Sequence, residues 1–569
     1  TRCSRDWSSD VCSSDLGIMN VRRCTLKNAK GGTFTYLQLV HNYRVKETGK
    51  TKTNVLMKLG REDQIDPSYI QDIIKALSAV FGDTASGSTA GFEFHASKEL
   101  GGPWLLDALW NKLGMAAAIK GLLEDRQFST PVERLCFAMV AGRILAPGSK
   151  LSLEHWVSKK AYITDLSDVD VHTLYRAMDL LVESNQILQK QVFTEVAKNT
   201  NLDVDLIFLD TTNTYFETDE DTSDSGLLKR GHSKDGHTEL PLVSIAFAVT
   251  RTGIPIRCWV FPGNTSDQTI VEQVKQDLGA WNLGRVVMVQ DAGFNSADNR
   301  RILLRECGDF IIGEKLRVGT DGAAVEALHR KGRFRVLENG LAIKDVVIDA
   351  GKATERRFII VKNPEAESRD RLIRGQIVDA AKQKLKELSQ YTGTAHTKAA
   401  CALRSHSAYG RYIKQDLKGL LHLDTAKIAS EKLLDGKFLV STSSMKLDAA
   451  DVVYGYKQLW AIERVFRDMK NTLDIRPVYH RLDDRIRSHI LICWLAMVLI
   501  RYAENTTERS WYQIDKALAG ITAGLIESEK VSLWYCSDIS DEAKDIFKRL
   551  NIVLPKKVVA TVPKERAAV

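Results

Sequence analysis

Five strand-like runs between residues 203 and 315 restrict the fold of this chain more than any other part of its sequence. In chain order the runs are VDLIFLDTTNTYF, PLVSIAFAVT, IPIRCWVFPGN, RVVMVQDAG and DFIIGEKL, with a helix-like stretch, TIVEQVKQDLGAW, between the third and the fourth. Short apolar runs that are rich in β-branched and aromatic residues are typical of strands. The order predicts an α/β domain with three successive strands, a helix and two further strands.

Two of these runs contain an aspartate where the apolar stretch closes. Asp210 ends LIFLD and is followed by Thr211 and Thr212, and Asp291 ends VVMVQD. An acid in this position costs free energy unless it is paired or binds a metal ion. Taken alone, either aspartate has the alternative role of a turn or helix cap. The same arrangement on two strands favours a shared role, and we predict both aspartates as metal ligands.

A third acid lies on a predicted helix in the stretch YKQLWAIERVFRDMK. Tyr456, Glu463 and Lys470 are seven residues apart, close to two helical turns, so their side chains fall along one helix face. Trp460 and Arg467 fall near the same face. The alternatives are an exposed helical glutamate at 463 and a core tryptophan at 460. A carboxylate beside a phenol and cations suits a site for a metal ion and a phosphate backbone.

Three carboxylates with neighbouring cations predict metal-dependent chemistry on phosphodiesters. Asp210, Asp291 and Glu463 can hold two Mg²⁺ or Mn²⁺ ions, with water and phosphate oxygens completing the coordination. Two ions about 4 Å apart activate the attacking water or 3′-hydroxyl and stabilise the leaving oxygen. Lysine and arginine side chains can then hold the phosphates of the cleaved strand. The side chains predicted to contact DNA are Tyr456, Trp460, Arg467 and Lys470.

Residues 316–450 carry more sequence than these strands and the acidic helix require. The segments FRVLENGLAIKDVVI, RRFIIVKN and FLVSTSS are strand-like, and RDRLIRGQIVDAAKQKLKELSQ is a charged helix. We interpret this stretch as a β-rich insertion before the acidic helix. Without the insertion, the order is three strands, a helix, a strand and a later acidic helix. This is the order of a ribonuclease-H-like fold, and we predict a catalytic domain of that class.

The flanking regions predict further segments. A β-hairpin is expected within residues 20–60 and a helix at 65–83. An apolar helix at 484–505 is expected to pack on the sheet, and the tail after about residue 550 is basic and expected to be loose. The predicted segments are a hairpin and helix at 19–92, a helical, DNA-binding domain at 93–202, the catalytic domain at 203–315 and 451–510 around the insertion at 316–450, and a C-terminal helical segment with its basic tail at 511–569.

The ends and the bulk composition limit other interpretations. The stretch TRCSRDWSSDVCSSDL looks like translated sequencing-adapter sequence, so we set residues 1–18 aside and expect the natural chain to begin at Met19. The formal net charge of +8 permits a polyanionic partner without demanding one. No run approaches 18 apolar residues, and ILICWLAMVLI at 490–500 is typical of a buried core helix. We therefore expect a cytoplasmic protein with no membrane partner.

Several motifs occur in order over about residues 203–505: LDTTNTYFE, GHSKDGHTELPLVSIAFAVTRTGIPIRCWVFPGNTSD, VVMVQDAGFNS, YKQLWAIERVFRDMK and DIRPVYHRLDDRIRSHILICWLA. In these motifs the chain resembles bacterial insertion-sequence transposases with a DDE catalytic triad. It resembles the group that is marked by a Tyr-Arg-Glu-Lys signature and a β-rich insertion. The resemblance implies that Asp210, Asp291 and Glu463 form the metal-binding triad. It also implies that Tyr456 and Lys470 are the signature tyrosine and lysine.

The sequence departs from the signature at one position. Leu459 stands where an arginine is expected, three residues after Tyr456, so one expected phosphate contact is absent. The resemblance otherwise implies a homodimeric transposase that binds the terminal inverted repeats of its element, hydrolyses at the 3′ ends and joins them to target DNA. A stand-alone ribonuclease-H-fold nuclease, such as a resolvase, is one alternative. A catalytically inactive DNA-binding descendant is another.

Overall fold

The computed structural model of the protein describes residues 19–27, 33–44, 51–61, 93–124, 130–200, 205–217, 226–234, 236, 239–281, 283, 286–305, 308–317, 321–352, 354–476, 478, 480–527 and 531–563. The chain divides into two compact units. The sheet unit is Ala197–Val478, and the helical unit joins Thr1–Val196 with Tyr479–Val569. The predictions of an adapter-derived segment at 1–18 and of a helix at 65–83 lie outside the described residues.

Strands and helices are numbered separately along the chain. The strands are β1 (Met19–Lys27), β2 (Thr33–Arg44), β3 (Thr51–Arg61), β4 (Glu93–Glu99), β5 (Leu206–Tyr215), β6 (Leu242–Val249), β7 (Pro255–Pro262), β8 (Val287–Gln290), β9 (Asp309–Gly313), β10 (Arg335–Val336), β11 (Ala342–Ile348), β12 (Arg356–Lys362), β13 (Ile413–Gln415), β14 (Leu421–Leu423), β15 (Lys437–Thr442), β16 (Thr522–Glu527), β17 (Val531–Cys536) and β18 (Val558–Pro563). The helices are α1 (Gly101–Lys112), α2 (Met115–Leu123), α3 (Val132–Leu145), α4 (Lys150–Lys159), α5 (Val171–Glu183), α6 (Asn185–Thr200), α7 (Val271–Gly279), α8 (Ala297–Leu303), α9 (Gly322–His329), α10 (Pro364–Leu388), α11 (Gly393–Ser405), α12 (Thr425–Lys432), α13 (Ala449–Lys457), α14 (Trp460–Asn471), α15 (Asp483–Thr507), α16 (Trp511–Leu518) and α17 (Asp541–Arg549).

A nine-stranded sheet forms the centre of the sheet unit, in the order β10-β11-β12-β15-β9-β8-β5-β6-β7. The five strands predicted between 203 and 315 are all present as β5 to β9, with α7 between β7 and β8. β5, β6 and β7 pair antiparallel, whereas β8 runs parallel to β5 and β9 parallel to β8. All eight residues of β6 are buried, which explains its continuous apolar sequence. The mixed α/β class that the sequence predicted is confirmed.

The segment predicted as an insertion extends the same sheet. β15 pairs antiparallel with β9 and with β12, and β11 and β10 follow outward from β12. Helix α9 covers these strands through an apolar cluster of Ala324, Ala327, Val346, Ile348, Phe358, Ile360 and Leu439. Between β12 and β15 the chain adds α10, α11, the small hairpin β13–β14 and α12. The strands and the charged helix that we predicted in this region are therefore present.

Helix α15 differs from its prediction. We expected this apolar helix to pack on the catalytic sheet, but it packs against α1, α3, α5, α16 and α17 in the helical unit. Its most apolar 18-residue window is 94% buried, so the helix lies in a core although it is long and apolar enough to cross a membrane. A helix that is apolar on every side buries its whole surface when other helices surround it, whereas packing on a sheet would bury only one face. The sheet unit accordingly ends at Val478 instead of at the predicted boundary of 510.

Two smaller sheets belong to the helical unit. β1, β2 and β3 form an antiparallel sheet, so the predicted hairpin has an additional first strand. β4, β16, β17 and β18 form a second sheet. β18 lies in the tail that we expected to be loose, and it pairs antiparallel with β17. β4 occupies the start of the region 93–202, which we expected to be helical.

Candidate active site

The two strand aspartates meet because of the register between β5 and β8. The parallel pairing runs from Leu206 opposite Val287 to Leu209 opposite Gln290, and the next residues are Asp210 and Asp291. We predicted that the strand ends at Asp210, and this is correct only for the edge of β5 that pairs with β8. On the other side, β5 continues to pair with β6 as far as Tyr215. Asp210 therefore lies where β8 ends, at an edge of β5 that a ligand can approach.

A cavity of about 360 Å³ contains the predicted carboxylates. It is lined by Asp210, Asp291, Phe438, Tyr456, Lys457, Leu459, Trp460, Ile462 and Glu463. The structure thus brings together the three acids, the tyrosine and the tryptophan that were singled out in the sequence. Among the described residues, Arg467 and Lys470 do not belong to this lining. Arg467 is exposed and Lys470 half-buried, one and two helical turns beyond Glu463.

Tyr456 and Glu463 lie on two helices instead of the single helix predicted. α13 ends at Lys457 and α14 begins at Trp460. Between them, the Leu459 N–H donates to the Tyr456 carbonyl at 3.1 Å, and the Ala461 N–H donates to the Gln458 carbonyl at 2.9 Å. Bonds between residues three apart tighten the chain into a turn of the 3₁₀ type, and this turn separates the two helices. Both side chains nevertheless face the same cavity.

The apolar face of α14 fixes the position of Glu463. Its buried residues are Ala461, Ile462, Val465, Phe466 and Met469. This face packs on β5 and β6, and the Phe466 ring meets the Phe247 ring edge-on at 5.8 Å between centroids. Glu463 lies on the opposite, exposed face, in the first turn of the helix. The sheet therefore anchors the helix while the carboxylate remains free to face the cavity.

Tyr456 contacts Asp291 directly. Its hydroxyl donates to Asp291 Oδ1 at 3.3 Å, and its ring stacks on Phe438 with 5.9 Å between centroids. Burial, and next the Asp291 carboxylate, raise the pKa of the Tyr456 hydroxyl, so it remains a donor. This approach requires a glycine at 313. A Cβ there would overlap the Tyr456 hydroxyl oxygen, and it would make tight contacts of 3.0 Å with Tyr456 Cζ and 3.1 Å with the Ala292 nitrogen.

Asp210 is in an unfavourable electrostatic environment. Burial raises the pKa of its carboxyl group to about 6, and the carboxylates of Asp267 and Asp291 contribute to the rise. The Lys234 ammonium and the Thr211 N–H, which donates to Asp210 Oδ1 at 2.7 Å, lower this pKa in part. The ionised carboxylate thus lacks sufficient positive charge around it, and this is a common property of functional sites.

Lys234 and Asp267 are site residues that our sequence interpretation missed. Lys234 Nζ lies 3.7 Å from Asp210 Oδ1 and 3.6 Å from Asp267 Oδ2. The Thr211 hydroxyl donates to Asp267 Oδ1 at 2.5 Å. Both residues occur in one of the motifs that carry the family resemblance, but we assigned neither of them a role from the sequence. The sequence signal that could have identified them is a lysine near the start of that motif and an aspartate at its end.

The exposure of Trp460 distinguishes between its two interpretations. The side chain is 57% exposed at the first position of α14 and lies on the rim of the cavity. A tryptophan with this exposure is not part of the hydrophobic core. Leu459, which replaces the signature arginine, is half-buried beside it and belongs to the same lining. The rim is therefore apolar where the signature would supply a cation.

The donor types in the cavity fit a hard divalent cation, because carboxylate oxygens are the ligands that Mg²⁺ and Mn²⁺ prefer. Burial is the main cause of the raised pKa of Asp210, so a bound cation would offset the cost of the ionised carboxylate. Within the part of the chain that the structure describes, however, no three His, Cys, Asp or Glu side chains are grouped closely enough to hold a metal ion. Lys234 is an ion-pair partner of Asp210, and Tyr456 is the hydrogen-bond donor to Asp291. The three acids share one cavity without yet forming one ligand set.

Two family models match this chain. The first is described as the transposase DDE domain and matches residues 222–499. The second is described as the N-terminal domain of the IS1634 family transposase and matches residues 21–87. The chain is a transposase of the DDE class. More specifically, it belongs to the insertion-sequence transposases, as its motifs predicted. Asp291 and Glu463 lie within the DDE match, whereas Asp210 lies upstream of it.

No curated protein sequence matches the chain. A solved structure that is similar to it is the cryo-EM structure of the piggyBac transposase synaptic complex with hairpin DNA. The two share 10% sequence identity with a TM-score of 0.34, over 73% of this chain and 78% of that one. A TM-score at this level does not establish a common fold.

Proposed function

We propose that this transposase binds the terminal inverted repeats of its insertion sequence and catalyses metal-dependent DNA cleavage and strand transfer. The observation that carries the proposal is the register of β5 and β8, which aligns Asp210 with Asp291 beside the cavity that Glu463 also lines. Three acids from two strands and a helix, far apart in the sequence, are not expected to meet in one cavity without a shared role.

The arrangement of the strands supports a ribonuclease-H-like catalytic domain. β7, β6 and β5 form an antiparallel set, and β8 and β9 continue it in parallel. α14 lies on β5 and β6 and carries the last acid of the predicted triad. We propose that residues 203–315 and α13–α14 make up this domain, and that β10–β15 with the intervening helices are the β-rich insertion. The helical region at 93–202 is then proposed to bind DNA.

Asp210, Asp291 and Glu463 are the residues that would hold Mg²⁺ or Mn²⁺, two ions in our proposal. When bound, such ions supply Lewis-acid stabilisation to the attacking and leaving oxygens of the phosphodiester. The protein itself provides the anchored strands, the hydroxyl of the half-buried Tyr456, which orients the Asp291 carboxylate, and a cavity beside the sheet edge. Water attacks in the cleavage step and a 3′-hydroxyl attacks in strand transfer, so one site serves both reactions.

The rim of the cavity supports DNA binding. Trp460 exposes a large aromatic surface that can stack on an unpaired base. Arg467 and Lys470 extend along α14 from Glu463 and are proposed to contact the phosphates of the same strand. Because a transposase brings two element ends together, we also propose that the protein acts as a homodimer on paired ends. A cytoplasmic, nucleoid-associated location follows from this proposal.

A plasmid assay tests the proposal. The substrate carries the inverted repeats that flank the coding region, and the readouts are end binding, Mg²⁺-dependent nicking and joining to a target plasmid. Asp291→Asn and Glu463→Gln should each abolish nicking while end binding persists. Glu272→Gln is the matched control. Glu272 is an exposed acid of the same unit that does not line the cavity, and its carboxylate forms an ion pair with Arg305 at 3.0 Å. Full nicking by either active-site variant would disprove the triad assignment.

The same assay separates the alternative functions. Nicking without joined products would indicate a stand-alone nuclease such as a resolvase. End binding by the wild-type protein without any nicking in Mg²⁺ or Mn²⁺ would indicate an inactive DNA-binding descendant. The presence of all three acids in one cavity favours the transposase over that descendant.

A further inference from the structure

The Lys234 side chain is 35% exposed, and its ammonium group lies beside Asp210. Its Nζ donates to the Thr211 carbonyl at 2.7 Å and to the Thr211 hydroxyl at 2.6 Å. The carboxylates of Asp210 and Asp267 lie at 3.7 and 3.6 Å from the same nitrogen. A lysine ammonium has three donors and no acceptor. Two hydrogen bonds and two nearby carboxylates therefore engage the whole group.

The position of Lys234 follows from the shape of the sheet. The pairing of β8 with β5 ends at Leu209, so the edge of β5 that β8 occupied is open beyond Asp210. A buried carbonyl that loses its strand partner needs another donor. Lys234 supplies a donor to the Thr211 carbonyl, the first beyond Asp210 on this strand. Lys234 thus supplies the hydrogen-bond donor that β8 no longer provides beyond Asp210.

Lys234 also supplies positive charge to an acidic cluster. Asp267 and Asp291 both act electrostatically on Asp210 at this end of the sheet. Asp267 accepts a hydrogen bond from the Thr211 hydroxyl at 2.5 Å and therefore fixes the same threonine that Lys234 contacts. Like charges at short range oppose one another most strongly where water is scarce. A cation held between two of the carboxylates relieves this repulsion.

We propose that Lys234 is a positioning residue for Asp210, held in place by Thr211 and Asp267, and that it is the resident counterion of the acidic cavity before a metal ion binds. The proposal rests on the proposed function, in which Asp210 is a metal ligand. It assigns Lys234 no contact with DNA, because Thr211, Asp210 and Asp267 already engage its ammonium group.

The test combines two measurements on Lys234→Met, which keeps the length of the side chain and removes its charge. At saturating DNA, nicking should slow by roughly 10- to 100-fold, since a misplaced catalytic group costs that much. The dissociation constant for the DNA ends and its salt dependence should remain those of the wild type. In thermal unfolding, added Mn²⁺ should raise the Tm of Lys234→Met more than that of the wild type, because the ion replaces the missing charge.

Two further variants define the specificity of this effect. Asp267→Asn should show the same pattern in weaker form, because an amide still accepts the Thr211 hydroxyl but loses its charge. Arg251→Met is the matched control. Arg251 pairs with Asp205 at 2.5 Å immediately before β5, in an exposed ion pair remote from the cavity. Neither nicking nor the response of the Tm to Mn²⁺ should change in this control.

Three outcomes would overturn the proposal. Weaker DNA binding with a reduced salt dependence would show that Lys234 contacts a phosphate. An equal rise in Tm with Mn²⁺ in variant and wild type would show a purely structural ion pair. Wild-type nicking by Lys234→Met would remove the positioning role. If the wild-type protein neither nicks DNA nor responds to Mn²⁺, the proposed function fails instead, so the two failures are distinguishable.

Discussion

Two regions of the molecule hold ionisable side chains in environments that disfavour their charged forms. In the candidate active site, burial raises the pKa of Asp210 to about 6. In the helical unit, burial lowers the pKa of Lys150 to about 7 and that of His480 to about 4, and neighbouring cations, including Arg143, contribute to both. The physical cause is the same, since desolvation dominates and like charges add to it. The sign of the charge and the access to solvent differ.

The two regions differ in how the cost of the buried charge can be relieved, because their ionisable side chains differ in solvent exposure. The Asp210 side chain is 24% exposed and lines a cavity, so a cation can enter and offset the cost. Lys150 and His480 are 4% and 7% exposed within the helical unit, so each relieves the cost chiefly by releasing its proton. A disfavoured charge beside a cavity therefore indicates a ligand site, whereas the same electrostatics in a closed core indicate a cost in stability.

The largest effect expected from this comparison is that of Asp210→Asn. Nicking should fall by roughly a thousandfold, because a proposed metal ligand is lost. The metal-free protein should become more stable at pH 7.5. The folded pKa of Asp210, about 6, lies above the reference value of 3.8, so the ionised form costs free energy at pH values above both. The gain in the free energy of unfolding is at most about 3 kcal/mol.

The pH dependence provides the check on this prediction. As the pH falls from 6 toward 4, the Asp210 carboxyl group of the folded wild type takes up a proton, whereas that of the unfolded chain remains ionised. The stability difference between wild type and Asp210→Asn should therefore shrink over this window. Denaturant unfolding in EDTA at several pH values measures it. A variant that is less stable than the wild type at pH 7.5 would show that the ion pair with Lys234 outweighs the cost of burial.

The second prediction concerns Lys150→Met in the helical unit. Removal of the buried ammonium should raise the free energy of unfolding by at most about 5 kcal/mol at pH 6. The folded pKa lies below the reference value of 10.5, so the unfolded chain binds more protons between pH 7 and 10.5. Wild-type stability thus rises with pH across this window. The advantage of the variant should decline over the same window, and denaturant unfolding from pH 6 to 10 measures it.

The matched control for Lys150→Met is Lys159→Met, at the exposed end of the same helix α4. Its stability should follow that of the wild type at every pH. DNA nicking should be unchanged in both variants. If Lys150→Met were destabilised at pH 6, Lys150 would have a partner that compensates for its burial. The buried charge in the helical unit would then not be a cost in stability, and the two regions would no longer differ in this respect.

The parts of the fold that could be predicted from sequence depend on local patterns. The apolar strands β5, β6 and β8, the charged helix α10 and the strand-closing positions of Asp210 and Asp291 are visible in short windows of sequence. The seven-residue spacing predicted that Tyr456 and Glu463 face one site, and they do line one cavity. The turn between α13 and α14 was not predictable, because residues on both sides of Gln458 and Leu459 favour helix.

The features that were missed depend on contacts between distant segments. The apolar sequence of α15 fixes its burial but not its neighbours, so its packing in the helical unit could not be read from composition. Lys234 and Asp267 meet through Thr211, which lies 23 and 56 positions away in the chain. β18 pairs with β17 although it lies in a basic tail and follows a proline-containing stretch. In each case the partner, and not the local pattern, determines the structure.

The smallest expected effect tests the apolar rim at Leu459. This residue is half-buried beside Trp460, where the signature of the family group has an arginine. Leu459→Arg should tighten end binding by a few-fold and steepen its salt dependence by about one phosphate contact. The arginine stem can cover the same apolar surface, so stability should change little. Titrations of end DNA at several salt concentrations measure both quantities. An unchanged salt slope would show that the DNA backbone does not pass this rim, and Trp460 would then lose its proposed contact with a base.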